Sequence, residues 1–168
     1  MDLKPIVRRI LEDYALTVRG DHGVTHWARV LENGLRICET EDANPDVVSL
    51  FAVFHDSCRQ NECHDPGHGL RGARLAKQLR GELFELSDAD FHLLYTACAD
   101  HTDEQTHPDV TVQACFDADR LDLGRVGIAP ESEWLSTAAA RSPEMLKWAD
   151  GRAGFRFVPE IVTVDWGL

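Results

Sequence analysis

The 168-residue sequence lacks any long uninterrupted apolar run, and charged residues break up its N-terminal stretch, MDLKPIVRRILEDYALTVRGD. This absence argues against a signal peptide and a membrane span. The sequence also lacks a CxxC pair, and its five cysteines are an odd number. Free thiols in a reducing compartment are therefore expected, rather than a disulfide framework. These features predict a cytoplasmic protein with no membrane partner.

The sequence has few basic residues for its length. Asp and Glu number 29 against 17 Lys and Arg, which gives a formal net charge of −12. The averaged field of such a chain repels phosphate backbones, so extended nucleic acid is not expected as a partner. A small phosphorylated substrate remains compatible, because a bound cation and a few arginines can reverse the potential inside one pocket.

Several catalytic signatures are absent as well. No GxSxG or GxxxxGK[ST] segment occurs, which removes support for a serine hydrolase or a P-loop NTPase. Gly67–Gly72 fits a GxGxxG pattern, but no predicted strand precedes it, as a dinucleotide site requires. Two HxxxH pairs lack the glutamate of zinc proteases.

Apolar residues recur at helical spacing along most of the chain, which predicts an all-α bundle. Amphipathic helices are expected around 6–14 and 30–38, and the run at 47–54 is apolar almost all round, as in a buried central helix. Further helices are predicted at about 68–80, 87–100, 109–121 and 131–149. The whole chain, 1–168, is expected to form one domain.

The C-terminal part, 129–168, is expected to add a helix and a tail to the main bundle. Its last segment, FRFVPEIVTVDWGL, is rich in β-branched and aromatic residues, which favours an extended tail or a short strand pair. Trp134, Trp148 and Trp166 lie in this part, where they either pack the domain or line a homodimer contact.

Histidines and aspartates stand at the ends or polar faces of otherwise apolar helices. His22 and His26 would share one helical face if the helix begins early enough, and a solvated turn is the alternative. His55 and Asp56 close the apolar run at 47–54, where burial without a partner costs several kcal/mol. A divalent ion would offset this cost, since imidazole nitrogen and carboxylate oxygen suit such ions. A helix-capping His55 with Asp56 paired to arginine is the alternative.

An acidic cluster at the end of a later predicted helix would complete a mixed His/Asp site. Three segments resemble, in their order along the chain, the H…HD…D signature of the HD-domain superfamily: His26-Trp-Ala-Arg29-Val30, Phe54-His55-Asp56 and Asp117-Ala-Asp119-Arg120-Leu121-Asp122. The resemblance spans roughly residues 20 to 128, which would be the core of the HD-type domain.

This resemblance implies a helical bundle with a divalent ion at its centre. Carried over residue by residue, it assigns the metal ligands to His26, His55, Asp56 and Asp119. Asp119 is preferred to Asp117 because the family's ligand precedes an Arg-Leu pair, as Asp119 does. Asp117 is then expected beside the ligands or as a helix cap. The ion is Mn, Fe, Mg, Ni, Co or Zn, which a His/Asp site does not distinguish.

Two more histidines resemble the additional histidines of some HD proteins. His68 and His101 stand at predicted helix ends and would hold a second metal ion or contact phosphate, with helix capping as the alternative. Arg29 lies one turn from His26, so it either clamps a phosphate oxygen or forms a salt bridge. Asp56, His68, His101 and Arg29 are thus the candidate catalytic residues.

The resemblance implies hydrolysis of a phosphate monoester or diester, on a nucleotide or a small phosphorylated metabolite. In that reaction Asp56 would bridge or orient the nucleophile, and His68 or His101 would protonate the leaving group. Two other functions stay open. One is a diiron oxygenase of the HD type, and the other is a non-catalytic regulatory domain that binds a metal or a nucleotide.

Overall fold

The structure, a computed structural model that describes residues 1–168, consists of helices packed around one central helix. The nine α-helices are α1 (Lys4–Glu12), α2 (Val24–Cys38), α3 (Pro45–Phe54), α4 (His68–Leu79), α5 (Asp88–Asp100), α6 (Val110–Arg120), α7 (Ala138–Arg141), α8 (Pro143–Gly154) and α9 (Glu160–Val164). Short 3₁₀ turns at Leu123–Val126 and Ser132–Trp134 join α6 to α7. The prediction of an all-α bundle is confirmed.

The central helix is α3, and its local sequence explains where it begins. The Asn44 side chain accepts hydrogen bonds from the amides of Asp46 and Val47, and Pro45 occupies a first-turn position that needs no amide donor. Its apolar residues are buried on all sides, since α2, α4, α5 and α6 pack around it. The C-terminal end of α3 therefore delivers His55 and Asp56 to the middle of the bundle.

Close backbone contacts fix α4 against this end of α3. A Cβ atom on Gly72 would lie 2.1 Å from the carbonyl oxygen of Phe54, and one on Gly69 would lie 2.1 Å from that of Cys98, near the end of α5. Only glycine permits such an approach. The N-terminal half of α4 thus lies directly beside the ends of α3 and α5.

The C-terminal part differs from the prediction in two ways. The helix expected at 131–149 is divided, because Ser142 precedes Pro143 and takes an extended conformation (ψ 138°), as residues before proline prefer. The expected extended tail or short strand pair is also wrong for Glu160–Val164, which form α9 instead. Pro159 stands just before α9, where its missing amide hydrogen costs nothing.

One hydrophobic core joins both parts of the chain. It extends from Leu3 to Trp166 and includes Leu135 and Val162 from the C-terminal part. No helix combines the length and the apolar character that a membrane span needs.

Candidate metal centre

Three helices bring four of the predicted ligands together at the centre of the bundle. His26 comes from α2, His55 and Asp56 from the end of α3, and Asp119 from the last turn of α6. The Nε2 atoms of His26 and His55 are 3.0 Å apart. His26 Nε2 lies 3.5 Å from Asp56 Oδ2 and 3.4 Å from Asp119 Oδ1. The matching distances from His55 Nε2 are 3.6 and 3.7 Å.

The tautomers of these two histidines follow from their hydrogen bonds. His26 Nδ1 donates to Asp122 Oδ2 at 2.7 Å, and His55 Nδ1 lies 3.1 Å from the carbonyl oxygen of Phe51. Each Nδ1 therefore carries the hydrogen, which leaves a lone pair on each Nε2. Two lone pairs at 3.0 Å repel unless a cation or a proton lies between them.

A second group of the same kind adjoins the first through Asp56. Its other oxygen, Oδ1, lies 3.2 Å from His68 Nε2 and 4.0 Å from His101 Nε2, and these two nitrogens are 3.1 Å apart. His68 Nδ1 donates to the carbonyl oxygen of Asp65, and His101 Nδ1 to that of Cys98. The second group therefore also directs two Nε2 lone pairs at one place.

Both groups are suited to a divalent ion. Ligands at about 2.1 Å from an ion are about 3.0 to 3.4 Å apart in octahedral or tetrahedral arrangements, close to the distances within the first group. Asp119 Oδ1 is buried and has no hydrogen-bond partner. A buried carboxylate oxygen without a partner raises the free energy of the folded state unless a cation lies beside it. Two buried groups of side chains could each hold a metal ion. The first consists of His26, His55 and Asp56, and the second consists of Asp56, His68 and His101.

The electrostatics of the first group also favour a positive charge. Burial raises the pKa of Asp119 and of Asp56, but the neighbouring His26 and His55 outweigh it and hold both pKa values well below the ordinary range. Burial and Arg125 lower the pKa of His26, yet the neighbouring carboxylates of Asp119, Asp122 and Asp56 raise it to about 9. With this raised pKa, His26 carries a positive charge near neutral pH when no ion is bound.

A polar cavity of about 280 Å³ opens onto Asp56, His68, His101 and Asp119. Its wall includes two buried arginines that sequence reasoning did not place at the site, Arg59 and Arg125. Arg125 donates to the carbonyl oxygens of Asp21 and Asp122, and its NH2 lies 3.9 Å from Asp119 Oδ1. Both arginines offer positive charge to an anionic group that enters the cavity.

Arg29 is absent from this cavity. Its Nε and NH2 donate to the two oxygens of Asp122 at 2.6 and 3.0 Å, and its NH1 donates to the carbonyl oxygen of Phe157. The side chain is buried, and each of its three nitrogens has an acceptor. The structure therefore shows the salt-bridge alternative for Arg29 and does not place its guanidinium in the cavity.

Other sequence candidates lie outside the two groups. His22 precedes α2 instead of sharing a helical face with His26, and its ring contacts Glu62. Asp117 is buried away from the ligands, where it accepts hydrogen bonds from Ser136 and Thr137. This placement agrees with the preference for Asp119.

Sequence reasoning gave no role to Asp122, which orients His26, or to Asp65. Asp65 is buried, binds Arg71 at 2.7 Å, and supplies the carbonyl oxygen that orients His68. Residue type alone gave no signal for either role, since each depends on the partner that the fold supplies.

No protein-family model, curated protein or solved structure matches this chain. The all-helical fold and the two buried His/Asp groups are compatible with an HD domain.

Proposed function

We propose that this protein is a metal-dependent phosphohydrolase of the HD type, which cleaves a phosphate monoester or diester of a nucleotide or another small phosphorylated metabolite. The observation that carries the proposal is the orphaned Asp119 Oδ1, which faces the Nε2 atoms of His26 and His55 beside a cavity with two arginines. A bound divalent ion would supply a water of lowered pKa and would polarise a phosphoryl oxygen.

The cavity wall supports a phosphorylated substrate. Arg59 and Arg125 place two cations beside the His/Asp groups in a chain whose net charge is −12. A phosphoryl anion is attracted to such a locally positive pocket, whereas the remaining surface repels long polyanions. A volume of about 280 Å³ also suits a small metabolite better than a polymer.

Two histidines at the cavity are candidates for proton transfer to the leaving group. Burial lowers the pKa of His101, whereas at His68 the bond to Asp56 outweighs burial and raises the pKa. A histidine with a raised pKa holds its proton near neutral pH, as a general acid requires. His68 is therefore the better candidate while its Nε2 is not bound to a metal ion.

The test combines element-resolved metal analysis with a panel of nucleotides and phosphoesters. Substitution of a residue that contacts a metal ligand typically lowers metal affinity by about 10- to 100-fold. Asp119→Asn changes a proposed ligand itself, so it should lower metal affinity by more than this, and phosphate release should fall with it. Asp42→Asn is the matched control, because it removes the same charge from an exposed position. Unchanged metal content and phosphate release in Asp119→Asn would refute the assignment.

A diiron oxygenase is the second candidate function. The observation that favours it is Asp56, whose two oxygens face two separate histidine pairs, as a carboxylate between two ions would. Two irons per chain together with oxygen uptake, and no phosphate release from the panel, would support this function. A regulatory role would be indicated if metal binds tightly and neither reaction occurs.

A further inference from the structure

The guanidinium of Arg59 lies within the second histidine group. Its NH1 is 3.3 Å from Asp56 Oδ1 and 3.3 Å from His68 Nε2. These are two of the three atoms that the group would offer to an ion, and the third is His101 Nε2. In this structure a side-chain cation therefore lies against the ligand atoms themselves.

The protein holds Arg59 in this position with further bonds. Its Nε donates to the carbonyl oxygen of Asn61, and its NH2 donates to that of Cys63 at 2.7 Å. The side chain is only 10% exposed. The loop after α3 thus directs the guanidinium inward.

Arg59 and a divalent ion would compete for this place. An ion bound by Asp56 Oδ1 and His68 Nε2 would lie about 2.1 Å from each atom, close to the guanidinium NH1 that now contacts both. Two cations at such a distance repel strongly in a buried site. No equivalent side chain fills the first group, where Arg125 NH2 stays 3.9 Å from Asp119 Oδ1.

We propose that Arg59 is a built-in cation that takes the place of a second metal ion, so that the second group binds a divalent ion only when Arg59 moves away. This inference rests on the metal centre of the proposed function. It assigns unequal affinities to the two groups. The first binds tightly, and the second binds weakly because an ion must displace the Arg59 guanidinium.

The test titrates Mn²⁺ alone into the metal-free full-length protein, with calorimetry for affinity and electron paramagnetic resonance for coupled ion pairs. The wild type should bind one ion tightly and a second at least about tenfold more weakly. Arg59→Gln should bind the second ion at least about tenfold more tightly than the wild type, because a nearby charge shifts an ionic equilibrium by this amount or more.

Two variants serve as controls. Arg59→Lys keeps the positive charge, so its affinity for the second ion should stay low. Arg74→Gln removes the same charge from an exposed position on α4 and should leave both ions unchanged. Circular dichroism and the first binding event report whether each variant is folded.

Equal affinity for two ions in the wild type would overturn the role of Arg59. An unchanged affinity for the second ion in folded Arg59→Gln would overturn it as well. If Arg59→Gln does not fold, the titrations of the wild type and of Arg59→Lys still test the proposal. Both proteins must bind the second ion weakly, and tight binding of that ion by either one would overturn the proposal. Failure of the wild type to bind any ion tightly would instead refute the metal centre, and with it the proposed function.

Discussion

At the scale of single residues, four histidines present Nε2 because each has its Nδ1 occupied. For His55, His68 and His101 the acceptor is a backbone carbonyl oxygen three or four residues earlier. For His26 the acceptor is Asp122, which lies 96 residues later in the chain. Three rings are thus oriented locally, and the fourth depends on how α6 ends beside α2.

Asp122→Asn should therefore weaken metal binding without removing a ligand. It replaces the charged acceptor that fixes the tautomer of His26, and such changes cost about 10- to 100-fold in metal affinity. It also leaves the buried Arg29 without its counter-ion, which should lower the free energy of unfolding by about 3–5 kcal/mol. Metal titration and urea unfolding measure the two effects.

The double variant Asp122→Asn/Arg29→Met separates these effects. It removes the unpaired cation, so much of the unfolding free energy should return while metal affinity stays low. If metal affinity returned as well, Asp122 would have no part in orienting His26.

The raised pKa of His26 should make the stability of the metal-free protein sensitive to pH. The carboxylates around His26 raise its pKa to about 9 in the folded state, against about 6.5 when unfolded. This contribution to stability is complete below pH 6.5 and is lost as the pH rises through 9. The unfolding free energy of the metal-free protein should fall by an amount on the order of 3 kcal/mol over this range.

Thermal unfolding between pH 6.5 and 9.5 measures this dependence. Mn²⁺ displaces the proton, so the loaded protein should be less sensitive to pH, and Mn²⁺ affinity should rise towards pH 9. A flat profile for the metal-free protein would contradict the raised pKa of His26.

At the scale of elements, the site depends on how closely α4 approaches the ends of α3 and α5. Gly72 and Gly69 lie against the carbonyl oxygens of Phe54 and Cys98. The first carbonyl belongs to the residue before His55, and the second orients His101. Any separation of these helices would therefore displace residues of both His/Asp groups.

Gly72→Ala should destabilise the protein by about 3 kcal/mol, the upper part of the range for overpacking, because backbone atoms cannot turn away from the new methyl group. Urea unfolding gives the value. Gly151→Ala is the control, since it lies within α8 with nothing near its Cβ position. This variant should gain about 0.5–1 kcal/mol from helix propensity. Equal behaviour of the two variants would refute the close-contact argument.

At the scale of the whole molecule, the C-terminal part completes the core that supports the site. Trp166 is only 1% exposed, and the carbonyl oxygen of Phe157 accepts a hydrogen bond from Arg29. Arg156 also donates to the carbonyl oxygen of Arg125, a residue that lines the cavity. Residues 129–168 therefore brace two arginines near the site in addition to extending the bundle.

Trp166→Ala should lower the free energy of unfolding by about 3–5 kcal/mol, as expected for a large buried side chain. Trp134 is 36% exposed, so Trp134→Ala should cost about 1 kcal/mol or less. Thermal unfolding of the two variants side by side checks the difference. Similar losses would indicate that the C-terminal part does not share the main core.

The sequence alone predicted most of the helices, and the four residues that it named as metal ligands lie close together in the structure. Helical periodicity and caps such as Asn44 act over a few residues, so they can be read along the chain. The apolar run before His55 likewise indicated a buried helix end. His68 and His101 were predicted as additional histidines, and the structure brings both beside Asp56.

Only the tertiary structure decided what surrounds these ligands. Asp122 binds both His26 and Arg29. Arg29 and Asp122 are 93 residues apart in the chain, so no local sequence pattern indicates their salt bridge. The inward position of Arg59 and the helical end of the chain also depend on neighbours that folding supplies. Residues close together in the sequence determine short-range hydrogen bonds and helical periodicity. The partner of a buried charge instead depends on which helices pack together.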